Sequence, residues 1–232
     1  PTGIGLVDAA AIPLVTTTGN ILMTSTGIRP GQTVLVTGAI GNVGRSAVYT
    51  AKSLGATVIA AVMGRQIGEA AHIGADQLIA TDDVESMAKL PMLDAVADAV
   101  GGKTAEMLIA KVKPGGVFAT VLEPPANAKD YAKVKTVAVY AKPDAEVLGF
   151  MAEAVRDGKM SIPIGKKMPL SDAAKAHESI TKGLIRGKML LIAEGFDEST
   201  NQAEEAIKGL LASYNEALND SRTAKVLPLY TD

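Results

Sequence analysis

Cysteine and tryptophan are both absent from the 232 residues. Without cysteine the chain has no disulfide, no thiolate nucleophile and no thiolate metal ligand. The absence matches a reducing compartment, and the expected location is the cytoplasm. Histidine occurs only as His72 and His177, neither with a ligand-spaced partner, so no metal is expected in this chain. Both histidines read as solvated positions on amphipathic helices. Neither sign of charge is in excess, with 23 Lys+Arg against 25 Asp+Glu. With no basic block either, nucleic acid and anionic membrane are not expected as partners. No run of about 18 apolar residues stands out, so no membrane-spanning helix is expected. Pro1 to Gly5 lacks the basic and apolar regions of a signal peptide. The chain does not open on methionine, and the expectation is a piece of a longer protein.

Aromatic residues are also scarce, at 3%, while 47% of the chain is hydrophobic. A real core is therefore available, built mainly from alanine, valine and other small residues, which suits helices packed closely on a sheet. Short β-branched runs alternate with amphipathic stretches. Ala9 to Met23 predicts a helix broken early by Pro13. Strands are predicted at Thr33–Thr37, Thr57–Val62, Gln77–Ile79, Asp94–Ala97, Val117–Leu122 and Thr136–Tyr140. Between them, helices are predicted at Val43–Leu54, Gln66–Ile73 and Lys103–Val112, followed by one at Glu146–Arg156. Gly55, Gly74 and Gly158 close helices. Asp82-Asp83 reads as a helix cap, and Pro114-Gly115-Gly116 as a turn before a strand. The alternation predicts an α/β fold, a doubly wound parallel sheet of the Rossmann kind. After Gly158 the rhythm changes. Lys166–Leu170 and Lys188–Ala193 read as strands around a helix capped by Ser171-Asp172.

The segment with the most chemistry is Val34-Leu35-Val36-Thr37-Gly38-Ala39-Ile40-Gly41-Asn42-Val43-Gly44. A buried strand gives way to a helix across three spaced glycines. Gly38 permits the tight turn, Gly41 lets a pyrophosphate approach the backbone, and Gly44 lets the helix sit close on the strand. The helix N-terminus then offers free N–H groups and a positive dipole end to phosphates. The alternative is a tight turn with no ligand. The second strand ends Ala60-Ala61-Val62-Met63-Gly64-Arg65, without the acidic residue that binds the ribose hydroxyls of NADH. Arg65 is suited to a 2′-phosphate, which favours NADPH over NADH; the alternative is a solvated loop charge. Asp94 and Asp98 read as strand-end polarity rather than as acid or base. Thr37 and Ser46 have no histidine placed to activate them.

With these residues in hand, the chain resembles the medium-chain dehydrogenase/reductase superfamily, in its quinone oxidoreductase and zinc-binding-dehydrogenase-like branch. Asp8-Ala9-Ala10-Ala11-Ile12-Pro13-Leu14, Arg29-Pro30-Gly31-Gln32-Thr33, Leu54-Gly55-Ala56, Ile73-Gly74-Ala75-Asp76, Lys113-Pro114-Gly115-Gly116 and Arg186-Gly187-Lys188 carry the likeness in order. The resemblance implies NADPH-dependent hydride transfer to a quinone, an enone or a similar conjugated carbonyl. It implies that Gly38, Ala39, Gly41, Asn42, Val43 and Gly44 wrap the pyrophosphate and that Arg65 faces the 2′-phosphate. It sets Thr18 near the cofactor, Val100 and Gly101 by the adenosine, and Val121, Leu122 and Glu123 near the nicotinamide. It also implies a homodimer paired along the sixth strand. Family members begin with a β-rich catalytic domain that has no counterpart in this sequence.

The expected organisation is a nucleotide-binding domain over 1–158, a returning piece of the catalytic domain over 159–193, a linker over 194–202 and a helical tail over 203–232. The tail resembles the opening helices of a SnoaL-like fold; the alternative is an amphipathic helix packed on the domain or a partner. No catalytic acid or base is identified. Two other readings stand beside the oxidoreductase. One is a non-catalytic NADPH-binding module or sensor. The other is a scaffold whose glycine loop is blocked by Ile40 or Asn42.

Overall fold

The computed structural model describes residues 3–193. The expected linker and tail, 194–232, lie outside the described residues. Six parallel strands form the main sheet: β1 (Thr33–Thr37), β2 (Thr57–Val62), β3 (Gln77–Ala80), β4 (Leu93–Asp98), β5 (Val112–Thr120) and β6 (Lys135–Ala138). Their spatial order is β3-β2-β1-β4-β5-β6, so the winding reverses between β1 and β4. This is the doubly wound arrangement expected from the sequence.

Both faces of the sheet are covered, which explains why the strands are near-continuous apolar runs. On one face Val34, Val36, Val58, Ala60 and Ala97 pack with Leu22, Ala47, Val48 and Ala51 from α2 (Pro13–Thr24) and α3 (Asn42–Ser53). On the other, Leu35, Ile59, Val96 and Phe118 pack with Met87 of α5 (Val84–Ala88) and Leu108 and Ile109 of α6 (Gly102–Ile109). The short α4 (Ile67–Ala70) joins the first face through Ala70.

A smaller unit flanks this sheet. β7 (Ile164–Pro169) and β8 (Lys188–Ile192) form a two-stranded parallel sheet, with α8 (Ala173–Thr181) between them in sequence. Leu190 packs against Val7 of α1 (Leu6–Ala9) and against Ala11. α7 (Ala145–Arg156) leads into this unit, with Met151 and Ala154 buried around Met160.

The break expected at Pro13 is present, with α1 ending at Ala9, and Pro13 opens α2 in its first turn, where its missing N–H is no loss. The stretch Leu6–Thr24 is, by length and mean hydropathy, apolar enough to cross a membrane, although Asp8, Thr16, Thr17, Thr18 and Asn20 interrupt its apolar residues. Half of it is buried within the fold, and Thr16, Thr17 and Thr18 turn their hydroxyls back onto carbonyls of their own helix. Several sequence expectations are corrected. Pro114-Gly115-Gly116 lies within β5, not before it: the pairing with β4 jumps from Leu93↔Val112 to Ala95↔Val117. A Cβ on Gly116 would stand 2.6 Å from the Asp94 carbonyl oxygen, so the excursion needs glycine there. The helix expected over Gln66–Ile73 is reduced to a 3-10 turn, Gly64–Gln66, and the single turn of α4. The helix expected over Lys103–Val112 ends at Ile109. Asp172 makes no side-chain cap for α8, and its carboxylate instead accepts from Lys175 Nζ at 2.7 Å. Asp83 does cap α5, accepting from Glu85 N and Ser86 N.

Candidate functional site

The carboxyl ends of β1, β2 and β4 open onto one cleft of about 530 Å³. It stands at the reversal of strand order, where open α/β sheets bind ligands. Gly38, Ile40, Gly41 and Asn42 line one side, Ala61, Val62, Met63 and Thr81 another, and Ala99, Val100 and Thr104 a third. Pro163, Arg186 and Gly187 reach it from the smaller unit.

The glycine loop forms a tight turn between β1 and α3. Gly38 adopts φ +58°, a left-handed conformation that favours glycine. The N–H of Gly41 donates to the Gly38 carbonyl at 2.8 Å, closing the turn. A Cβ on Gly44 would lie 2.2 Å from that same carbonyl oxygen, so the helix can sit on the strand only with glycine at this position. Gly41 stands at the N-cap of α3 and brings no side chain to the helix terminus. No side-chain oxygen caps the first N–H groups of α3, which leaves them available to an anion. Ile40 and Asn42 both border the cleft, and it remains open above the loop.

A second contact holds α3 from behind. A Cβ on Gly19 of α2 would stand 2.4 Å from the Val43 carbonyl oxygen and 2.5 Å from Ser46 Cβ. α2 thus packs against the first turns of α3 at a position that only glycine fits.

Below the loop lies a fully buried carboxylate, Asp98. It accepts from Thr37 Oγ1 at 2.7 Å, from Thr120 Oγ1 at 2.9 Å and from the Gly101 N–H at 3.1 Å. Thr37 Oγ1 in turn accepts from the Ala99 N–H at 2.8 Å. This network ties the ends of β1, β4 and β5 together under the cleft. Fully hydrogen-bonded, Asp98 is a structural group rather than an acid or base aimed at a ligand.

The residues proposed for the cofactor divide into two sets. Gly38, Gly41, Asn42 and Val100 line the cleft. Ala39 and Gly44 form the turn beneath them, and Val43 belongs to the first turn of α3. Gly101 and Leu122 are brought together, since a Cβ on Gly101 would meet Leu122 Cδ1 at 2.8 Å. Val121 and Glu123 flank Leu122 beyond the end of β5 and do not line the cleft. Thr18 bonds the Leu14 carbonyl and also stands outside the lining. Arg65 is exposed, its guanidinium against Met63 Sδ at 3.5 Å, while its neighbours Met63 and Gln66 border the cleft.

The sequence reading missed the charged rim. Glu69 pairs with Arg45 at 3.0 Å and with Arg186 at 3.5 Å, joining α3, α4 and the approach to β8. The Arg45 guanidinium also donates to the Ile40 carbonyl and to Ser161 Oγ. Glu69 and Arg186 are 117 residues apart, and no local pattern marks such a pair.

The family described as zinc-binding dehydrogenase matches residues 73–191. A chloroplast envelope quinone oxidoreductase homolog from Arabidopsis thaliana is 30% identical over 82% of this chain and 63% of its own length. An acryloyl-coenzyme A reductase from Metallosphaera sedula is 27% identical over 79% of this chain and 58% of its own. Among solved structures, the quinone oxidoreductase from Coxiella burnetii superposes with a TM-score of 0.74 at 27% identity, covering 82% of this chain and 62% of that one. The chain therefore spans less than two thirds of the length of each of these relatives. As for zinc, the sequence has no cysteine, and among the described residues no group of three or more His, Asp or Glu converges. The described residues do not fit that metal.

Proposed function

The chain belongs to the medium-chain dehydrogenase/reductase superfamily, in its quinone oxidoreductase-like branch, and from that premise we propose that it is the cofactor-binding part of an NADPH-dependent oxidoreductase. The observation that carries the proposal is the open cleft at the strand-order reversal, floored by the Gly38–Gly44 turn and the uncapped start of α3. Such a site fits a dinucleotide better than a scaffold does, because the glycines leave room where side chains would otherwise fill the turn.

When bound, the nicotinamide supplies the hydride, and the protein supplies orientation and electrostatics. The Gly38–Gly44 turn and the first N–H groups of α3 hold the pyrophosphate. Val100 and Ala99 wall the adenosine side. Val121, Leu122 and Glu123, in the loop after β5, would hold the nicotinamide end. The preference for NADPH rests on Arg65, in the turn that follows β2. The proposed acceptor is a conjugated carbonyl such as a quinone or enone, since the names of the relatives include a quinone oxidoreductase and an acryloyl-coenzyme A reductase. A second copy pairing along β6, an edge strand of the sheet among the described residues, would make the proposed homodimer.

Calorimetry with NADPH and NADH, on this chain and on Arg65→Ala, tests the reading. The expected result is NADPH binding that weakens about tenfold or more in the variant, with NADH little changed. A folded chain that binds neither nucleotide overturns it and leaves the scaffold.

A further inference from the structure

Resting on the dinucleotide reading above, we propose that Asp82 is a selectivity residue that opposes the phosphorylated cofactor, as the counterweight to Arg65. The observation is the position of its carboxylate. β2 carries no acid at its end, but the chain just past β3 brings one to the same place. Asp82 Oδ1 accepts from the Gly64 N–H at 2.6 Å. Gly64 opens the turn that holds Arg65, and a Cβ there would meet both Asp82 carboxylate oxygens within 3.8 Å. The neighbouring Thr81 donates its N–H to the Val62 carbonyl at 2.8 Å and lines the cleft, so Asp82 is held at the edge of the ribose end.

Two consequences follow for a ligand. The Gly64 N–H is a backbone donor that a 2′-phosphate oxygen would otherwise use, and Asp82 already occupies it. The carboxylate also adds a negative charge close to the incoming dianion, which raises the energy of NADPH but not that of a ribose with a free 2′-hydroxyl. That hydroxyl can instead donate to the carboxylate. Arg65 and Asp82 thus pull the selectivity in opposite directions, and the chain accepts both dinucleotides with a modest preference.

The test is calorimetry with NADPH and NADH on the full chain, Asp82→Asn and Asp82→Ala, at two salt concentrations. Asparagine keeps an oxygen for the Gly64 N–H and removes only the charge. Asp82→Asn is expected to raise the NADPH-to-NADH preference about tenfold at low salt and less at high salt, because an exposed charge is screened. Asp82→Ala also frees the turn and is expected to weaken both nucleotides. An unchanged ratio in Asp82→Asn, with both nucleotides still binding, overturns the role of Asp82 and leaves the dinucleotide site standing. No binding by any of the folded chains overturns the dinucleotide reading itself, and this inference with it.

Discussion

Thr37 donates a 2.7 Å hydrogen bond to Asp98 across 61 residues of chain, and neither side chain reaches solvent. The pair joins the ends of two adjacent strands where the sheet changes its winding. Removing the acceptor strands the hydroxyls of Thr37 and Thr120 and the Gly101 N–H, and buried polar groups left alone each cost about 1–3 kcal/mol. Asp98→Ala is therefore expected to lose at least about 3 kcal/mol in urea unfolding, and Thr37→Val about 1–2 kcal/mol. A double-mutant cycle should give strong coupling between the two positions. Additive losses would mean that the bond is incidental.

Gly19→Ala is expected to be more harmful than its position on a helix suggests. Alanine normally favours helix, by about 1 kcal/mol over glycine. Here its Cβ would enter the backbone of α3 at Val43, so the helices must separate. A net loss of about 1–3 kcal/mol is expected, with weaker nucleotide binding because the displaced element carries the glycine turn proposed to hold the pyrophosphate. Denaturation together with calorimetry checks both halves.

NADPH should raise the thermal midpoint. At a ligand concentration near 100 Kd the added stability is about 2.7 kcal/mol, which for a chain of this size is roughly 5–10 °C. A differential scanning measurement reads this directly, and Gly41→Val is expected to abolish the shift. Valine there would crowd the Gly38 carbonyl, already 3.1 Å from a Cβ, and fill the space left for phosphate.

Asp94 gives a pH prediction. The Lys113 ammonium at 2.6 Å and the Thr33 N–H at 2.8 Å hold its carboxyl below the usual carboxylate range. A depressed folded-state value means that the contribution is complete above the unfolded value of about 4 and is lost as pH falls through the folded value. Asp94→Asn should therefore lower stability at pH 7 and flatten the fall in stability below about pH 4. Parallel acid limbs for the two proteins would remove Asp94 from the account.

What was legible in the sequence was whatever is local. β1 and β2 were readable at their ends, because Thr-Val-Leu-Val-Thr and Thr-Val-Ile-Ala-Ala-Val are buried on both faces and bounded by turn residues. The roles of Gly38 and Gly44 were readable for the same reason, since the turn that needs them is seven residues long. Gly116 was misread as part of a turn before the strand. Its need for glycine comes from the Asp94 carbonyl on the neighbouring strand, which the local pattern does not contain. α4 was overestimated because the apolar spacing of Gln66–Ile73 gives no sign that Asp82 anchors the preceding turn. The rim formed by Glu69, Arg45 and Arg186 was invisible, because Arg45 and Glu69 meet only once α3 and α4 pack on the sheet, and Arg186 reaches Glu69 only from the smaller unit.

The order of the strands has a kinetic consequence. β1, β2 and β3 are consecutive in the chain and can pair by closing short loops, whereas β4 must cross back past them to reach the other side of β1. Pairings of large sequence separation form late, since the entropy of closing a long loop is met before the contact forms. The cleft lies on that last seam, between the first strand and the fourth. A dinucleotide bound at that seam is expected to stabilise contacts that form after the folding transition state. It should lengthen the lifetime of the native chain by slowing unfolding, while the rate at which the chain folds stays the same.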